Sequence, residues 1–305
     1  MRVKILGSAA GGGFPQWNCA CSNCARLRDG TLRGTARTQV QVAVSSDSRS
    51  WYLLSASPDL PRQIEAFAQL HPSKKARETP IAAVVLTGAD LDQVLGVILL
   101  RESQPLRVYA TPSVRRILLE NNIMFNMVRD QITWDPVIPG DAFALTSVAG
   151  MKSDICCLPF ALSGNYPPYV GRELASTLTA EEALVGLSLE SSKARLIYMP
   201  GAPSVDESWL AHVEDCDLLL FDGTFWTDDE LIKVRGSGRT ARQMGHVPIS
   251  GPDGSLELLR GVTRPRRMYI HVNNTNPILD EDSAEYRQVR EAGWEVARDG
   301  WECEL

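Results

Sequence analysis

Short apolar runs rich in β-branched residues recur along the chain, at 3–6, 40–45, 51–54, 82–86, 106–109, 155–158, 186–189, 195–198, 218–221 and 268–272. Runs of this length bounded by polar or turn-forming residues predict strands. Between them, 61–70, 91–101, 113–121, 207–214, 255–260 and 283–292 carry apolar positions at helical spacing. The order opens with clustered strands, alternates in the middle and repeats the theme after about residue 150. That pattern predicts a sheet-rich α/β (α+β) sandwich with helices outside. No repeat, low-complexity tract or linker interrupts it, so a single domain over residues 1–305 is expected. The stretch VRGSGRT at 234–240 has the glycines that suit a lid.

Composition narrows the picture by exclusion. With 44% apolar and 22% charged residues the chain is of ordinary globular type. A net charge of −6 gives no reason to expect nucleic acid or anionic lipid as a partner. The longest apolar runs, such as IAAVVL at 81–86, are too short to cross a bilayer. The opening MRVKIL passes straight into GSAAG, without the apolar stretch of a signal peptide. A cytoplasmic protein with no membrane insertion is expected, and a homodimer is left open.

Four groups of residues could carry chemistry. Cys19, Cys21 and Cys24 lie within six positions, too close for sensible disulfides, and four more cysteines (156, 157, 216, 303) are scattered. Closely spaced thiolates on an irregular loop can wrap a zinc ion, and the preceding Gly11–Gly13 run lets the backbone bend. Three reduced, unliganded thiols are the plain alternative. The glycine run fits neither the dinucleotide spacing nor a P-loop ending. Asp90 and Asp92 follow the strand ending at 86, where they either hold a hard cation or cap the following helix. Of the four histidines, His71 and His212 read as surface or structural residues. His246 follows the glycine loop, and His271 ends a strand and leads into an amide-rich VNNTNP segment. Asp222 likewise ends an apolar strand, as a turn residue or a site carboxylate. Three strand ends that deliver metal-competent groups are hard to dismiss together.

With these residues in view, the chain resembles the metallo-β-lactamase superfamily, and within it the family that serves synthesis of the redox cofactor pyrroloquinoline quinone (PQQ). The resemblance runs end to end. It is carried by GGGFPQWNCACSNC at 11–24, RTQ at 37–39, SPDL at 57–60, TGADLDQVLGVILLRE at 87–102, FDGTFW at 221–226, MGHVPISGPDGS at 244–255 and IHVNNTNPI at 270–278. It implies an αββα sandwich of the metallo-β-lactamase type, with a metal site at strand ends. Hydrolases of the superfamily carry H-x-H-x-D-H in the loop that aligns on 88–93. Here those positions read Gly88, Asp90, Asp92 and Gln93, and only Asp92 keeps its type. The usual bridging aspartate aligns with Gly201, and no histidine lies around 162–165. The final histidine of the superfamily matches His271.

A two-metal hydrolase needs six or seven ligands around a bridging hydroxide, and this set falls short of it. What remains implies an active-site metal held by His246, His271 and acidic groups among Asp90, Asp92 and Asp222. Two imidazoles and a carboxylate with open positions suit ferrous iron, and other divalent ions fit the same ligands. In related phosphodiesterases three such cysteines bind a structural zinc, completed by a residue three positions past the final histidine. Here that residue is Asn274. The resemblance implies an iron- and O₂-dependent hydroxylase acting on the tyrosine ring of a Glu–Tyr cross-linked PQQ precursor. Arg235, Arg239 and Arg242 beside the lid, and Gln93, are the candidate contacts for the substrate, with solvated surface arginines as the plain alternative. Two other readings stand beside it: a binding or carrier protein that aids transport of PQQ or its precursor to the periplasm, and a single-metal hydrolase.

Overall fold

The computed structural model describes every residue except Lys74 and Ser103. Among the described residues fourteen strands run as β1 Arg2–Gly7, β2 Gln41–Ser45, β3 Trp51–Leu54, β4 Ile81–Val85, β5 Leu106–Ala110, β6 Ile132–Pro136 and β7 Phe143–Thr146. They continue as β8 Lys152–Ala161, β9 Val185–Glu190, β10 Arg195–Met199, β11 Leu218–Asp222, β12 Arg266–Ile270, β13 Trp294–Val296 and β14 Glu302–Glu304. The contacts of the chain divide into two units. One comprises Met1–Leu6, Gln41–Arg195 and Gly300–Leu305; the other comprises Gly7–Val40 and Leu196–Asp299.

In the first unit a seven-stranded mixed sheet has the order β14-β1-β2-β3-β4-β5-β6. Strands β3 to β6 are parallel neighbours, and β2 and β3 pair antiparallel. Every residue of β4 is buried, as a parallel strand covered on both faces demands. The core packs Trp51, Leu53, Val84 and Val108 of these strands against Leu60, Val94, Val97, Val114 and Ile117 from helices. Strands β7, β8 and β9 of the same unit form an antiparallel run.

In the second unit β10, β11, β12 and β13 are parallel. The segment Leu218–Asp222 is buried throughout. Helix Glu207–Glu214 lies between β10 and β11 in the chain and buries Trp209 and Val213. Trp209 meets Phe221, and Tyr269 stacks on Trp294 at 4.3 Å and 13°. Phe221 also meets Tyr269 and Trp294, so the rings pack across β11, β12 and β13. No helix among the described residues is long and apolar enough to cross a membrane.

Candidate metal centre

Ligand sites in parallel sheets form beyond the carboxyl ends of the strands, where backbone groups and side chains are left over. Three neighbouring ends of the second unit contribute here. Strand β11 ends in Asp222, His271 is the first residue after β12, and the turn after β10 supplies the Ala202 N–H. Asp222 is fully buried, His271 nearly so, and the His246 side chain is 17% exposed. The ligand-type atoms of Asp222, His246 and His271 all lie within 4.8 Å of one another. The two imidazoles are nearly parallel, 5.4 Å apart at 24°.

Asp222 closes the turn after β11 and faces His246. Its Oδ1 accepts from the Thr224 N–H at 3.0 Å and the Thr224 hydroxyl at 2.6 Å. Its Oδ2 accepts from the Ala202 N–H at 2.9 Å and lies 2.7 Å from His246 Nδ1. The next residue, Gly223, has no room for a side chain: a Cβ there would sit 2.7 Å from Tyr269 Cβ.

His271 adopts a left-handed backbone, with φ of 60°. Histidine tolerates that region better than most residues, but it still costs on the order of 1 kcal/mol and persists only where neighbours impose it. Here Val272 N–H donates to Ser8 O, Asn273 N–H donates to Thr224 O, and the Thr224 hydroxyl lies 3.0 Å from His271 O.

The loop that carries His271 also closes over the cysteines. The sulfurs of Cys19, Cys21 and Cys24 lie within 4.8 Å of one another, and Cys24 is fully buried. The Asn274 side-chain amide lies 3.2, 3.6 and 3.4 Å from the three sulfurs in turn. It donates through Nδ2, and a half-turn of the amide sets in the same place Oδ1, the atom by which an amide ligates. Burial pushes the Cys21 thiol up to about 12, so a thiolate there calls for a cation beside it. The neighbouring Asn23, on helix Ser22–Arg28, donates to Asn274 O and Asn276 O. Asn276 in turn donates to Gly223 O and Thr224 O. One asparagine-rich loop thus meets the three thiols through Asn274 and the turn after Asp222 through Asn276.

Glu230 braces the same loop from another side. It is buried and accepts from the Thr275 hydroxyl and the Trp226 N–H. Desolvation raises its carboxyl to about 7, against the hydrogen bonds that favour the anion.

Asp90, Asp92 and Gln93 belong to the first unit. Asp90 stands at the N-cap of helix Leu91–Val94 without a side-chain capping bond, and Asp92 is half-buried in its first turn. Gln93 is buried, and its amide oxygen accepts from the Thr87 hydroxyl. Tyr169 covers this loop, donating to Ala89 O, and its phenol is raised by burial with the Asp90 charge adding to the effect. In the second unit Arg235, Arg239 and Arg242 are exposed, and the Arg242 guanidinium donates to Asp253 O. Helix Glu230–Arg235 takes in the first two residues of the expected lid, and Gly236 caps it in the left-handed region. His71 and His212 are half-buried, and His71 Nε2 lies 3.1 Å from Ile64 O. Sequence reasoning passed over Thr224, Asn23, Asn276 and Glu230. For Thr224 a signal existed: a hydroxyl residue two places after an aspartate at a strand end is the pattern of a side-chain-closed turn.

The chain matches the Beta-lactamase superfamily domain model over residues 50–272. It is 43% identical to coenzyme PQQ synthesis protein B of Pseudomonas putida (strain GB-1) and 40% identical to that of Methylococcus capsulatus (strain Bath), with both chains covered in full in each case. The crystal structure of zinc-bound PqqB from Methylobacterium extorquens superposes with a TM-score of 0.92 at 39% identity, again over both whole chains. A diphosphatase of the PhnP family matches with a TM-score of 0.68 at 18% identity, covering all of this chain and 97% of the other, a likeness of fold alone. The expected αββα sandwich of the metallo-β-lactamase type is therefore the fold of this chain.

Proposed function

The chain belongs to the coenzyme PQQ synthesis protein B family of the metallo-β-lactamase superfamily, and from that premise we propose that it is an iron- and O₂-dependent hydroxylase of PQQ formation. Its substrate in this reading is the tyrosine ring of a Glu–Tyr cross-linked precursor. The observation that carries the reading is the convergence of two imidazoles and one carboxylate within 4.8 Å, from the ends of β11 and β12 and the loop that carries His246. The residues fit a single cation. Nitrogen and oxygen donors in that number, with coordination positions left over, suit ferrous iron rather than a closed structural site. When bound, iron would supply one-electron exchange with O₂, and a two-electron reductant such as ascorbate would take the second oxygen atom to water.

The chain's own contribution is positional. Asp222 Oδ2 lies 2.7 Å from His246 Nδ1, which fixes how that ring sits beside the carboxylate. Burial of Asp222 and His271 excludes water from one side of the cluster. Arg235 and Arg239 offer exposed guanidiniums in the same unit for the carboxylates of an amino-acid substrate. The three cysteines with Asn274 make a second, structural zinc site in this reading.

An oxygen electrode decides between the readings. Anaerobic protein loaded with Fe(II) and supplied with a two-electron reductant such as ascorbate should consume O₂ and yield hydroxylated product when air and the Glu–Tyr substrate are admitted. His271→Ala should lose at least a hundredfold of that activity while its cysteine-bound zinc, counted by elemental analysis, stays at the parent level. Full activity in that variant would refute the assignment. Tight PQQ binding by metal-free protein without O₂ uptake would favour a carrier, and zinc-dependent cleavage without O₂ a hydrolase.

A further inference from the structure

We propose that a cleft in the second unit, sharing no residue with the metal centre, binds a small monocarboxylate on the Arg267 guanidinium. The proposal is independent of the iron reading of that centre.

The cleft has a volume of about 290 Å³, and its walls include Leu256, Glu257, Arg260, Gln288 and Ala292. Arg267 lines it as well, yet this arginine is only 8% exposed. It stands on β12 opposite Trp294 of β13, and its Cζ lies 5.2 Å from the centre of a Trp294 ring. Contact with the indole and burial together hold the guanidinium in place. Gly293 leaves it room: a Cβ there would stand 2.9 Å from Arg267 Nη2.

This guanidinium has no counter-charge among the described residues. It carries five N–H donors and keeps its charge at any ordinary pH. Nη2 donates to Ala292 O at 3.0 Å, and Nη1 reaches Leu259 O only at 3.5 Å. The buried Nε has no partner among the described residues. The nearby carboxylates are taken by other arginines, Glu295 by Arg266 and Glu257 by Arg260 at 2.6 Å. Burial lowers the Arg267 pKa, and only the Tyr269 phenol acts against that. A buried charge is costly unless it is paired, and backbone carbonyls offer only partial charge.

The lining narrows the class of anion. Two guanidiniums and one carboxylate leave the cleft with a single net positive charge, which suits a monoanion better than a phosphate dianion. A carboxylate matches the fork of a guanidinium edge to edge. Leu256 and Ala292 give apolar surface for the body of the acid. A plainer role for Arg267 is to fasten the ends of helices Ser255–Leu258 and Ala284–Glu291, since Leu259 and Ala292 are their C-caps. That role needs two N–H groups and no ligand, so it predicts no binding.

The test titrates ¹⁵N-arginine-labelled full-length protein in low-salt buffer with benzoate, its neutral analogue benzamide, and inorganic phosphate. Arg267→Met removes one Nε–H signal and so identifies it. Benzoate should shift that signal saturably, and benzamide and phosphate should bind more weakly by about tenfold or more. Arg267→Met, which keeps the apolar stem, should weaken benzoate binding by about tenfold or more, read by saturation transfer to the ligand. Gln288→Glu changes an exposed helical position and sets a second carboxylate on the cleft wall. It should weaken benzoate about threefold or more. If Arg267→Met does not fold, the parent titration and Gln288→Glu decide alone, the parent signal then being assigned through its backbone. An Arg267 signal that benzoate leaves unmoved overturns the proposal. So does benzamide or phosphate binding as tightly as benzoate, or parent-like benzoate binding in either variant, and Arg267 is then a helix fastener only.

Discussion

Glu230 has an environment unlike that of an ordinary helix glutamate. It lies in a helix bounded by charged neighbours, yet it is 7% exposed and bridges the turn after β11 to the loop carrying His271 and Asn274. Its carboxyl, raised to about 7 by desolvation, has an ordinary value of 4.5. Between these two values the folded chain binds a proton that the unfolded chain has released. Stability therefore falls as pH rises through that window and levels off above it. The shift corresponds to at most on the order of 3 kcal/mol. Glu230→Gln should shrink the loss of stability between pH 5 and pH 8 by about 1–3 kcal/mol, measured by urea unfolding at both pH values. Equal losses in parent and variant would show that the carboxyl titrates normally. Nothing in the sequence marks Glu230, because its burial depends on residues 45 positions further on. Cysteine spacing made the thiol cluster legible, strand ends drew notice to Asp222 and His271, and the glycine loop drew notice to His246. Thr224 acquires its meaning only when two histidines, 22 and 47 positions away, arrive at one oxygen.

At the scale of elements, apolar periodicity located the strands that are buried and missed those that are not. The four absent from the sequence reading are β6, β7, β13 and β14, and each pairs on one side only. An edge strand has a half-covered face and a short apolar run, so its pattern is weak. Helix 91–101 failed differently: it is split into Leu91–Val94 and Gly96–Leu99. Gly96 N–H donates to Ala56 O, and Ala56 N–H donates to Gln93 O, so a backbone segment presses against the helix where a side chain would stand. A Cβ on Gly96 would sit 2.4 Å from Ser57 O and 2.7 Å from Ala56 C. Two effects then compete in Gly96→Ala. Helix propensity gains about 1 kcal/mol, whereas forcing a methyl against backbone that cannot rotate away costs about 1–3 kcal/mol or more. The clash is with main chain at a distance real Cβ atoms do not reach, so the cost wins. Denaturant unfolding should show a net loss of about 1–2 kcal/mol, and a gain would mean that the helix runs straight after all.

On the scale of the whole molecule, the expectation of one domain over 1–305 rested on the lack of any linker. The chain crosses between its two contact units at 6/7, 40/41, 195/196 and 299/300, so no single boundary exists for composition to mark. The first crossing delivers Gly7–Val40 to the second unit, and its one helix is Ser22–Arg28. A segment with so little regular structure needs other fastenings. Those present are the Asn23 bonds, the buried Arg37 guanidinium on Ala297 O, and the thiol cluster under Asn274. An ion on the thiols stabilises only the folded arrangement, by about 2.7 kcal/mol at a hundredfold excess over its Kd. Its removal should therefore act locally before it acts globally. With a strong chelator, amide exchange should accelerate at 19–28 and 271–276, while amides of β11 and β12 keep their protection until global unfolding. The melting temperature should fall by several degrees, and Cys21→Ser should reproduce both effects without chelator. If exchange at 19–28 stays slow after the metal is gone, the asparagines alone fasten the loop, and the thiols are not what holds His271 in place.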